Sequence, residues 1–356
     1  MARRQITVGG VLVGGGAPIS IQSMTTTKTS DVSKTVTQIQ RLTELGCDII
    51  RVAVPDEASA LAIEEIKKQI TIPLVADIHF DHRLALRAIE SGADKIRINP
   101  GNIGSDENVR AVARLCIQKN IPIRVGVNSG SLSREILAKH GCVTAEALLE
   151  SALGHIRILN KFDFNDICVS VKTSSVPLTI AAYRLMHEKT DYPLHVGVTE
   201  AGTEYMGVIK SSIGIGALLT EGIGDTIRVS LTAAPEQEVK AAFAILKALG
   251  LRPGFDIISC PTCGRCNVDL IKISTEVESR LEKLTAHHNF INKTTSVAVM
   301  GCAVNGPGEA SRADYGIAAG NGEGVIFKKG KIISKLPMEG LVSGLLDAII
   351  SDCERQ

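Results

Sequence analysis

PLVADIHFDHRLALRAIESGADKIRINPG, which spans residues 73–101, shows the pattern that decides the fold of this chain. Runs rich in apolar and β-branched residues stand at its two ends, at Pro73–Phe80 and Lys95–Gly101. A polar loop and an amphipathic stretch separate these runs, as expected for a strand, a helix and a second strand. The stretch therefore predicts a β-α-β unit, whose two strands are parallel.

The same unit recurs between residue 19 and about residue 250. The predicted strands are Ile19–Thr26, Cys47–Val54, Pro73–Phe80, Lys95–Gly101, Ile121–Asn128, Ile167–Thr173, Pro193–Glu200 and Thr226–Thr232. Eight alternating units predict a (β/α)8 barrel, also called a TIM barrel. The main alternative, a doubly wound sheet, usually carries a Gly-rich loop after its first strand. Here that strand ends in Ser23-Met24-Thr25-Thr26-Thr27, which favours the barrel.

Two further segments complete the predicted organisation. Residues 5–15 resemble a hairpin that plugs the N-terminal end of the barrel, so residues 1–254 form the predicted barrel domain. Residues 255–356 show helical patterns and short strands, which predict a small α+β domain. The tether between the two domains is predicted to run from about Leu251 to Ser259.

Composition excludes several classes of protein. The 356 residues carry a formal net charge of +1, with 3% aromatic residues and no Trp, so nothing suggests a nucleic-acid surface. No apolar run is long enough to predict a membrane span, and the N-terminal stretch does not resemble a signal peptide. Nine cysteines in such a chain indicate a reducing cytoplasm, where clustered thiols favour metal or redox chemistry.

Four of these cysteines lie in two turn-rich segments. Cys260, Cys263 and Cys266 follow a CxxCxxC spacing, and Cys302 comes some forty residues later in a Gly- and Pro-rich segment. Thiolates at this spacing can hold a metal centre from one loop, while a distant cysteine closes the site. The pattern predicts an iron–sulfur cluster or a structural zinc, although unrelated reduced thiols are the alternative.

Positive charges interrupt the predicted barrel strands near their carboxyl ends. Five strands carry such a cation, namely Arg51, Arg97, Arg124, Lys172 and Arg228. Polar residues share their faces or lie on neighbouring strands, namely Asp77, Asn99, Asn128 and Ser230. Buried charges need partners, and Asp77 and Glu200 are the only obvious carboxylates, so a ligand with more than one phosphate is predicted. Two alternatives are a buried ion-pair network and a metal site at Asp77, His79 and His82.

Four segments together resemble a known family. They are the CPTC of residues 260–263, the GVTEAG of 197–202, the EGIGDTIRVS of 221–230 and the GCAVNGPGEA of 301–310. The chain resembles the bacterial 4-hydroxy-3-methylbut-2-enyl diphosphate synthases over essentially its whole length. That resemblance implies a reductive conversion of 2-C-methyl-D-erythritol 2,4-cyclodiphosphate into 4-hydroxy-3-methylbut-2-enyl diphosphate, in the methylerythritol phosphate route to isoprenoids.

The resemblance also implies cofactor, partners and roles. It implies a [4Fe-4S] cluster held by Cys260, Cys263, Cys302 and Glu309, which leaves Cys266 outside the ligand set. A single cluster carries one electron at a time, so ferredoxin or flavodoxin is the expected donor. A homodimer is implied, in which the cluster domain of one subunit covers the barrel of the other. Glu200 is the candidate proton donor, with an ion pair to Lys172 or Arg228 as its alternative role.

Two other functions remain open from the sequence. A pterin-type transferase uses a similar barrel with Asp and Asn at strand ends, and its extra metal domain would be structural. A zinc-ribbon binding module would explain the CxxCxxC loop without any redox role. Both predict a colourless protein, whereas an iron–sulfur enzyme purified without air is brown.

Overall fold

The computed structural model describes residues 3–266, 268–287, 294–302, 310–320 and 322–353. The chain forms two compact units, Met1–Ile245 and Leu246–Gln356. This division falls inside the last barrel helix, whereas the sequence predicts a border after that helix, near residue 254. The position of the functional border stays a prediction.

The first unit begins with a hairpin of strands β1 (Gln5–Val8) and β2 (Val11–Gly14). The two residues between them, Gly9 and Gly10, both have positive φ, as tight hairpin turns require. Ile6, Val8 and Val13 pack against Ile49, Val75 and Cys168, which lie near the starts of three barrel strands. The hairpin therefore plugs the N-terminal end of the barrel, as predicted.

Eight parallel strands form the barrel. They are β3 (Ser20–Met24), β4 (Ile49–Ala53), β5 (Leu74–Asp77), β6 (Lys95–Ile98), β7 (Ile123–Asn128), β8 (Ile167–Lys172), β9 (His195–Val196) and β10 (Thr226–Ile227). Their order around the sheet is β8-β7-β6-β5-β4-β3-β10-β9. A parallel bridge between Val169 and Leu194 joins the two ends of this sheet. The predicted (β/α)8 barrel is thus confirmed.

Helices surround the strands. They are α1 (Val32–Glu44), α2 (Glu57–Lys67), α3 (His82–Glu90), α4 (Asp106–Lys119), α5 (Arg134–His140), α6 (Ala145–Asn160), α7 (Val176–Lys189), α8 (Glu204–Thr220) and α9 (Pro235–Ala248). Asp31, Asp56 and Asp81 cap the first three, since each carboxylate accepts a backbone N–H of the first turn. Because such caps are aspartates just before the helix, the start of each helix can be predicted from the sequence.

Every barrel strand is shorter than its predicted run. Strands β9 and β10 contain only two residues each, because the residues directly after them do not continue the ladder of paired strands. Beyond the ladder, the backbone N–H of Arg228 donates to the carbonyl oxygen of Val196 at 3.0 Å, and a Cβ at Gly197 would face Nζ of Lys172. The polar ends of the predicted runs therefore line the mouth of the barrel without extending its sheet.

In its described residues, the second unit contains a five-stranded mixed sheet and two α-helices. The strands are β11 (Phe255–Ser259), β12 (Thr295–Met300), β13 (Tyr315–Ala319), β14 (Glu323–Lys328) and β15 (Lys331–Pro337), and the helices are α10 (Leu270–His287) and α11 (Met338–Cys353). Strands β11, β12 and β13 are parallel, and the others are antiparallel. Val277 and Leu281 of α10 share one core with Val297 and Leu345. This mixed sheet confirms the predicted α+β class.

The prediction of the tether was wrong in one respect. Residues 255–259, expected to link the domains, pair along their whole length with residues 295–299 of β12. Phe255, Ile257 and Ile258 suit a strand, and Phe255 is buried in the core of the second unit. The tether is therefore shorter than predicted. In the described parts of the chain, no helix is long and apolar enough to cross a membrane.

Candidate functional site

Every second residue of a barrel strand points inward, and the strand registers group these side chains into layers drawn from alternate strands. Three layers form the mouth, at the carboxyl ends of the strands. From the inside outward they are Arg51, Arg97, Ser170 and Arg228; Met24, Asp77, Gly126 and Gly197; and Ala53, Asn99, Lys172 and Ser230. Arg124 lies one layer deeper, and Asn128 one layer farther out. The structure thus brings all the predicted binding residues into one interior.

The carboxylate of Asp77 contacts two of the predicted cations at once. Its Oδ1 accepts a hydrogen bond from Nη1 of Arg97 at 3.1 Å, and its Oδ2 lies 3.9 Å from Nε of Arg51. The ring of His79 places Nε2 3.4 Å from the same Oδ2. Burial raises the pKa of Asp77, but Arg51, the hydrogen bond of His79 and Arg97 oppose it and hold this pKa far below its usual range. Asp77 is therefore an anion that positions Arg51 and Arg97, two of the side chains predicted to bind phosphate.

Two glycines make room for the long cationic side chains. A Cβ at Gly126 would lie 2.8 Å from Nε of Arg97, and a Cβ at Gly197 would lie 2.8 Å from Nζ of Lys172. The Cβ at Gly197 would also meet the carbonyl oxygen of Arg228 at 2.3 Å. Both glycines belong to the middle layer of the mouth, so the layers on either side project their charges into the space that the missing side chains leave.

The mouth holds more positive than negative charge. Arg97, Arg124 and Lys172 are at least nine-tenths buried, and Arg51 and Arg228 expose little more. Burial lowers the pKa of Lys172 well below its ordinary value, and Arg124, Arg228 and Arg51 lower it further. Among the described residues, only Asp77 and Glu238 form ion pairs with these cations. Five cations facing two carboxylates make the mouth a site for a multiply charged anion.

Glu238, on the first turn of α9, is the partner that the sequence did not identify. Its Oε2 lies 3.3 Å from Nη2 and 3.4 Å from Nε of Arg228, and its Oε1 accepts the backbone N–H of Leu231 at 3.0 Å. Arg228 is therefore paired with Glu238, and not with Glu200 as the alternative role of Glu200 would have it. The sequence contains a signal for this pair. A carboxylate in the first turn of the helix that follows a barrel strand lies close to the rim above that strand.

We expect Glu238→Gln to lower the free energy of unfolding by about 3 kcal/mol, because removing one partner leaves a buried guanidinium unpaired. Urea unfolding followed by circular dichroism measures this difference. Glu236→Gln is the matched control, since Glu236 lies on the same helical turn and forms no described ion pair. Equal and small effects of both changes would contradict a structural role for the Glu238 pair.

Glu200 stands at the rim with an unusual backbone. It is exposed, and its φ of 51° lies in the left-handed region, which few residues other than Gly occupy. Glu200 forms no ion pair with a described residue, so its predicted alternative role as a partner of Lys172 or Arg228 finds no support. A strained and solvent-facing carboxylate is free to contact a ligand in the mouth.

The alternative metal site at the rim does not form a ligand set. Both oxygens of Asp77 already face guanidinium groups, while His82 lies 3.9 Å from Asp81 at the start of α3. The side chain of His79 is 56% exposed and is directed to Asp77. His79 is thus placed to bind a ligand or to orient Asp77.

In the second unit, the cysteine loops follow two neighbouring strands. Cys260 comes directly after β11, and Cys302 comes two residues after β12, which is parallel to β11. The backbone N–H of Cys260 donates to the carbonyl oxygen of Val299 at 3.4 Å. Cys263 is exposed, and hydrogen bonds from the backbone and side chain of Arg265 lower the pKa of its thiol. A lowered pKa favours the thiolate, which is the form that binds metal.

Cys266 has a different environment. Its Sγ donates to the carbonyl oxygen of Val268 at 3.3 Å, and a Cβ at Gly301 would lie only 2.5 Å from this Sγ. Cys266 packs against the core of the second unit, as Cys260 also does. The Gly301 backbone thus closes over Cys266, and its place outside the ligand set stays a prediction.

The fourth predicted ligand, Glu309, lies outside the described residues. Within the part of the chain that is described, no three metal-binding side chains lie close enough together to hold a metal ion. Cys260, Cys263 and Cys302 nevertheless fit an iron–sulfur cluster by their chemistry, since all three are free and at least partly exposed thiols on turns.

Comparison with known families identifies two matching domains. Residues 3–243 match the GcpE TIM-barrel domain, and residues 256–351 match the GcpE protein C-terminal domain. The chain is 60% identical over 347 residues to a 4-hydroxy-3-methylbut-2-en-1-yl diphosphate synthase (flavodoxin) from Caldanaerobacter subterraneus, which covers 97% of this chain and 96% of that protein. It is 54% identical over 354 residues to the protein of the same name from Fusobacterium nucleatum, which covers 99% of this chain and 98% of that protein.

Two solved structures resemble part of this chain. A type I 3-dehydroquinate dehydratase from Clostridium difficile superposes with a TM-score of 0.51 and 17% identity, over 70% of this chain and 98% of that chain. A dihydropteroate synthase from Yersinia pestis has a TM-score of 0.47 and 12% identity, over 69% of this chain and 96% of that chain. At such low identity the first likeness shows a shared barrel fold, and the second supports no argument about function.

Proposed function

Because this chain belongs to the GcpE family, we propose that it converts 2-C-methyl-D-erythritol 2,4-cyclodiphosphate into 4-hydroxy-3-methylbut-2-enyl diphosphate. The observation that carries this proposal is the excess of positive charge in the barrel mouth, where five cations face two carboxylates. A cyclic diphosphate supplies the negative charges that this mouth lacks. Family membership also favours this reaction over the pterin-type transferase and over a zinc-ribbon module.

The reaction needs two electrons and one proton. Opening the ring breaks a carbon–oxygen bond to phosphate, and the hydroxyl group that leaves the carbon skeleton departs as water once it has gained a proton. The names of the relatives specify flavodoxin, so we propose flavodoxin as the donor, with ferredoxin as the other candidate. The clustered reduced thiols of the chain suit the cytoplasm, where such donors occur, and this localisation stays a prediction.

We propose that Cys260, Cys263, Cys302 and Glu309 hold a [4Fe-4S] cluster. When bound, this cluster supplies electrons one at a time from the donor to the substrate. The lowered pKa of Cys263 and the packing of Cys266 beneath Gly301 support this ligand set. A carboxylate as fourth ligand binds the cluster more weakly than a thiolate does, which suits a centre that exchanges ligands.

The side chains of the barrel perform the remaining tasks. Arg97, Arg51 and Lys172 bind the diphosphate, and they stabilise the charge that it gains as the carbon–oxygen bond breaks. Asp77 orients both guanidinium groups before the substrate arrives. Glu200 is the proposed proton donor to the departing hydroxyl, because it is exposed at the rim and pairs with no described cation.

The proposal is tested with protein purified without air. We expect a brown protein with about four irons and four sulfides per chain, which converts the cyclodiphosphate when reduced flavodoxin is supplied. Product formation is measured by phosphorus NMR. Stoichiometric zinc in a colourless protein, together with no turnover, would contradict both the cluster and the reaction.

We expect Arg97→Ala to raise the KM for the cyclodiphosphate about 10- to 100-fold, because a charge-assisted hydrogen bond to phosphate is lost. The iron content should stay unchanged, since Arg97 belongs to the barrel. Steady-state kinetics measures the change, and Arg110→Ala serves as control because Arg110 is exposed on α4. A wild-type KM for Arg97→Ala would assign this side chain to the ion pair with Asp77 alone.

We also propose a homodimer in which each cluster domain serves the barrel of its neighbour. The short tether supports this arrangement, because β11 begins at Phe255, soon after α9 ends at Ala248. Mixing Glu200→Gln chains with Cys302→Ser chains is expected to restore activity, since one site then combines an intact barrel with an intact cluster. No recovery after demonstrated subunit exchange would place both halves of the site in one chain.

A further inference from the structure

Beneath the cations of the mouth, the barrel interior stays polar for two more layers. The first contains Gln22, Val75, Arg124 and His195, and the second contains Ile49, Lys95, Cys168 and Thr226. The lower layer rests on the N-terminal hairpin, because Ile49 and Cys168 contact its apolar side chains. Such layers are usually filled by branched apolar residues, so the polar groups need an explanation.

The polar groups of these layers are buried and lack protein partners. Lys95 and His195 are 0% exposed, Gln22 is 1% exposed and Arg124 is 2% exposed. Among the described residues, no hydrogen-bond partner exists for Nζ of Lys95, Nε of Arg124, either amide atom of Gln22 or either ring nitrogen of His195. Buried polar groups are almost always hydrogen-bonded, so these atoms indicate a molecule or ion between them.

The charges in these layers define that occupant. Lys95 and Arg124 are both cations, and neither layer contains a carboxylate. Asp77 favours the charged form of Arg124, but it already faces Arg51 and Arg97 in the mouth. Burial raises the pKa of the Cys168 thiol, so this neutral thiol does not balance Lys95. The two layers therefore contain an uncompensated positive charge.

The neutral side chains add donors of the correct kind. Burial, then Lys172, Arg124 and Lys95, lower the pKa of His195 well below its ordinary value, so its ring is neutral with one N–H. The amide of Gln22 offers two further N–H groups. Burial, followed by Arg124 and Arg51, lowers the pKa of Lys95 to about 8, which leaves the ammonium form dominant at neutral pH. Ammonium, guanidinium, amide and imidazole N–H groups are the donors that surround a buried anion.

We propose that these two layers enclose a binding site for one halide-sized anion, with chloride as the natural occupant, held by Lys95, Arg124, Gln22 and His195. Water would satisfy the hydrogen bonds, but it would leave the charge of both cations uncompensated. The site lies one layer below Arg51, Arg97 and Arg228, and it shares Arg124 with the side chains predicted to bind the diphosphate. This proposal rests on the barrel alone and stands whatever reaction the mouth catalyses.

Crystals of the full chain grown in sodium bromide give the direct test, because bromide is detected by its anomalous scattering. We expect an anomalous peak within hydrogen-bonding distance of Nζ of Lys95 and Nε of Arg124. Ordered water without anomalous signal at this position would overturn the proposal. So would bromide peaks found only among Arg51, Arg97 and Lys172, since those would mark the mouth as the anion site.

A solution experiment tests the same site without crystals. Thermal unfolding is measured at constant ionic strength while sodium chloride replaces sodium gluconate. An anion bound only to the folded chain raises the Tm as its concentration increases. We expect wild type to show this rise and Lys95→Met to lose it, even where the variant is as stable as wild type in gluconate.

Two matched variants make this result specific. Lys172→Met should retain the chloride-dependent rise, because Lys172 lies in the mouth. Lys119→Met should also retain it, because Lys119 is exposed at the end of α4. Loss of the rise in Lys172→Met with retention in Lys95→Met would overturn the proposal, as would a wild-type Tm that does not respond to chloride.

Discussion

Cys302→Ser is expected to abolish the iron–sulfur cluster and all reductive turnover, whereas Cys266→Ser is expected to retain both. Cys302 follows β12 beside the strand end that carries Cys260, so we expect its thiolate to complete the proposed ligand set. Cys266 donates its Sγ proton to the carbonyl oxygen of Val268 and packs beneath Gly301. Iron content, expected to fall from about four per chain to near zero, and visible absorption measure the effect.

The comparison of the two variants controls for misfolding. Both replace a thiol by a hydroxyl in the same unit, so circular dichroism of each should report an intact second sheet. Retention of the cluster in Cys302→Ser with its loss in Cys266→Ser would show that the three cysteines of the CxxCxxC loop are the ligands.

Glu200→Gln is expected to lower kcat by about 10²- to 10⁴-fold, the usual contribution of a general acid. The substitution keeps the size of the side chain and removes its acidic proton, so the KM for the cyclodiphosphate and the iron content should stay unchanged. Steady-state kinetics with reduced flavodoxin measures kcat and KM separately.

Glu204→Gln is the matched control for Glu200. Glu204 is another exposed carboxylate, four residues later in the first turn of α8, and its loss should leave kcat unchanged. If Glu200→Gln turned over at the wild-type rate, the left-handed backbone at Glu200 would serve the shape of the loop and not the chemistry.

Local periodicity was sufficient to predict the barrel. A strand of apolar residues, a capped amphipathic helix and a second strand can each be identified within a few residues of sequence, and Asp31 and Asp81 mark helix starts directly. Alternation along a strand also predicted that Arg97 and Lys172 face the interior. These inferences depend only on neighbouring residues, which is why they needed no structure.

The sequence was less informative where a segment has little pattern of its own. The sequence predicts a tether at Phe255–Ser259, because five residues next to a cysteine loop carry too weak a signal to be distinguished from a connection. Its strand character comes from pairing with β12, some forty residues away. Pairing between distant segments is a property of the folded chain.

By itself, then, the amino-acid sequence determined the class of fold, and it predicted the cations of the mouth and the cysteines proposed to hold a cluster, because each depends on residue type and local spacing. Only the tertiary structure decided which charges are compensated. It pairs Arg228 with Glu238, gives Arg97 and Arg51 a shared carboxylate in Asp77, and leaves Lys95 without a described partner. The reason is that the stagger between strands, set by hydrogen bonds around the closed barrel, selects the side chains that meet in a layer.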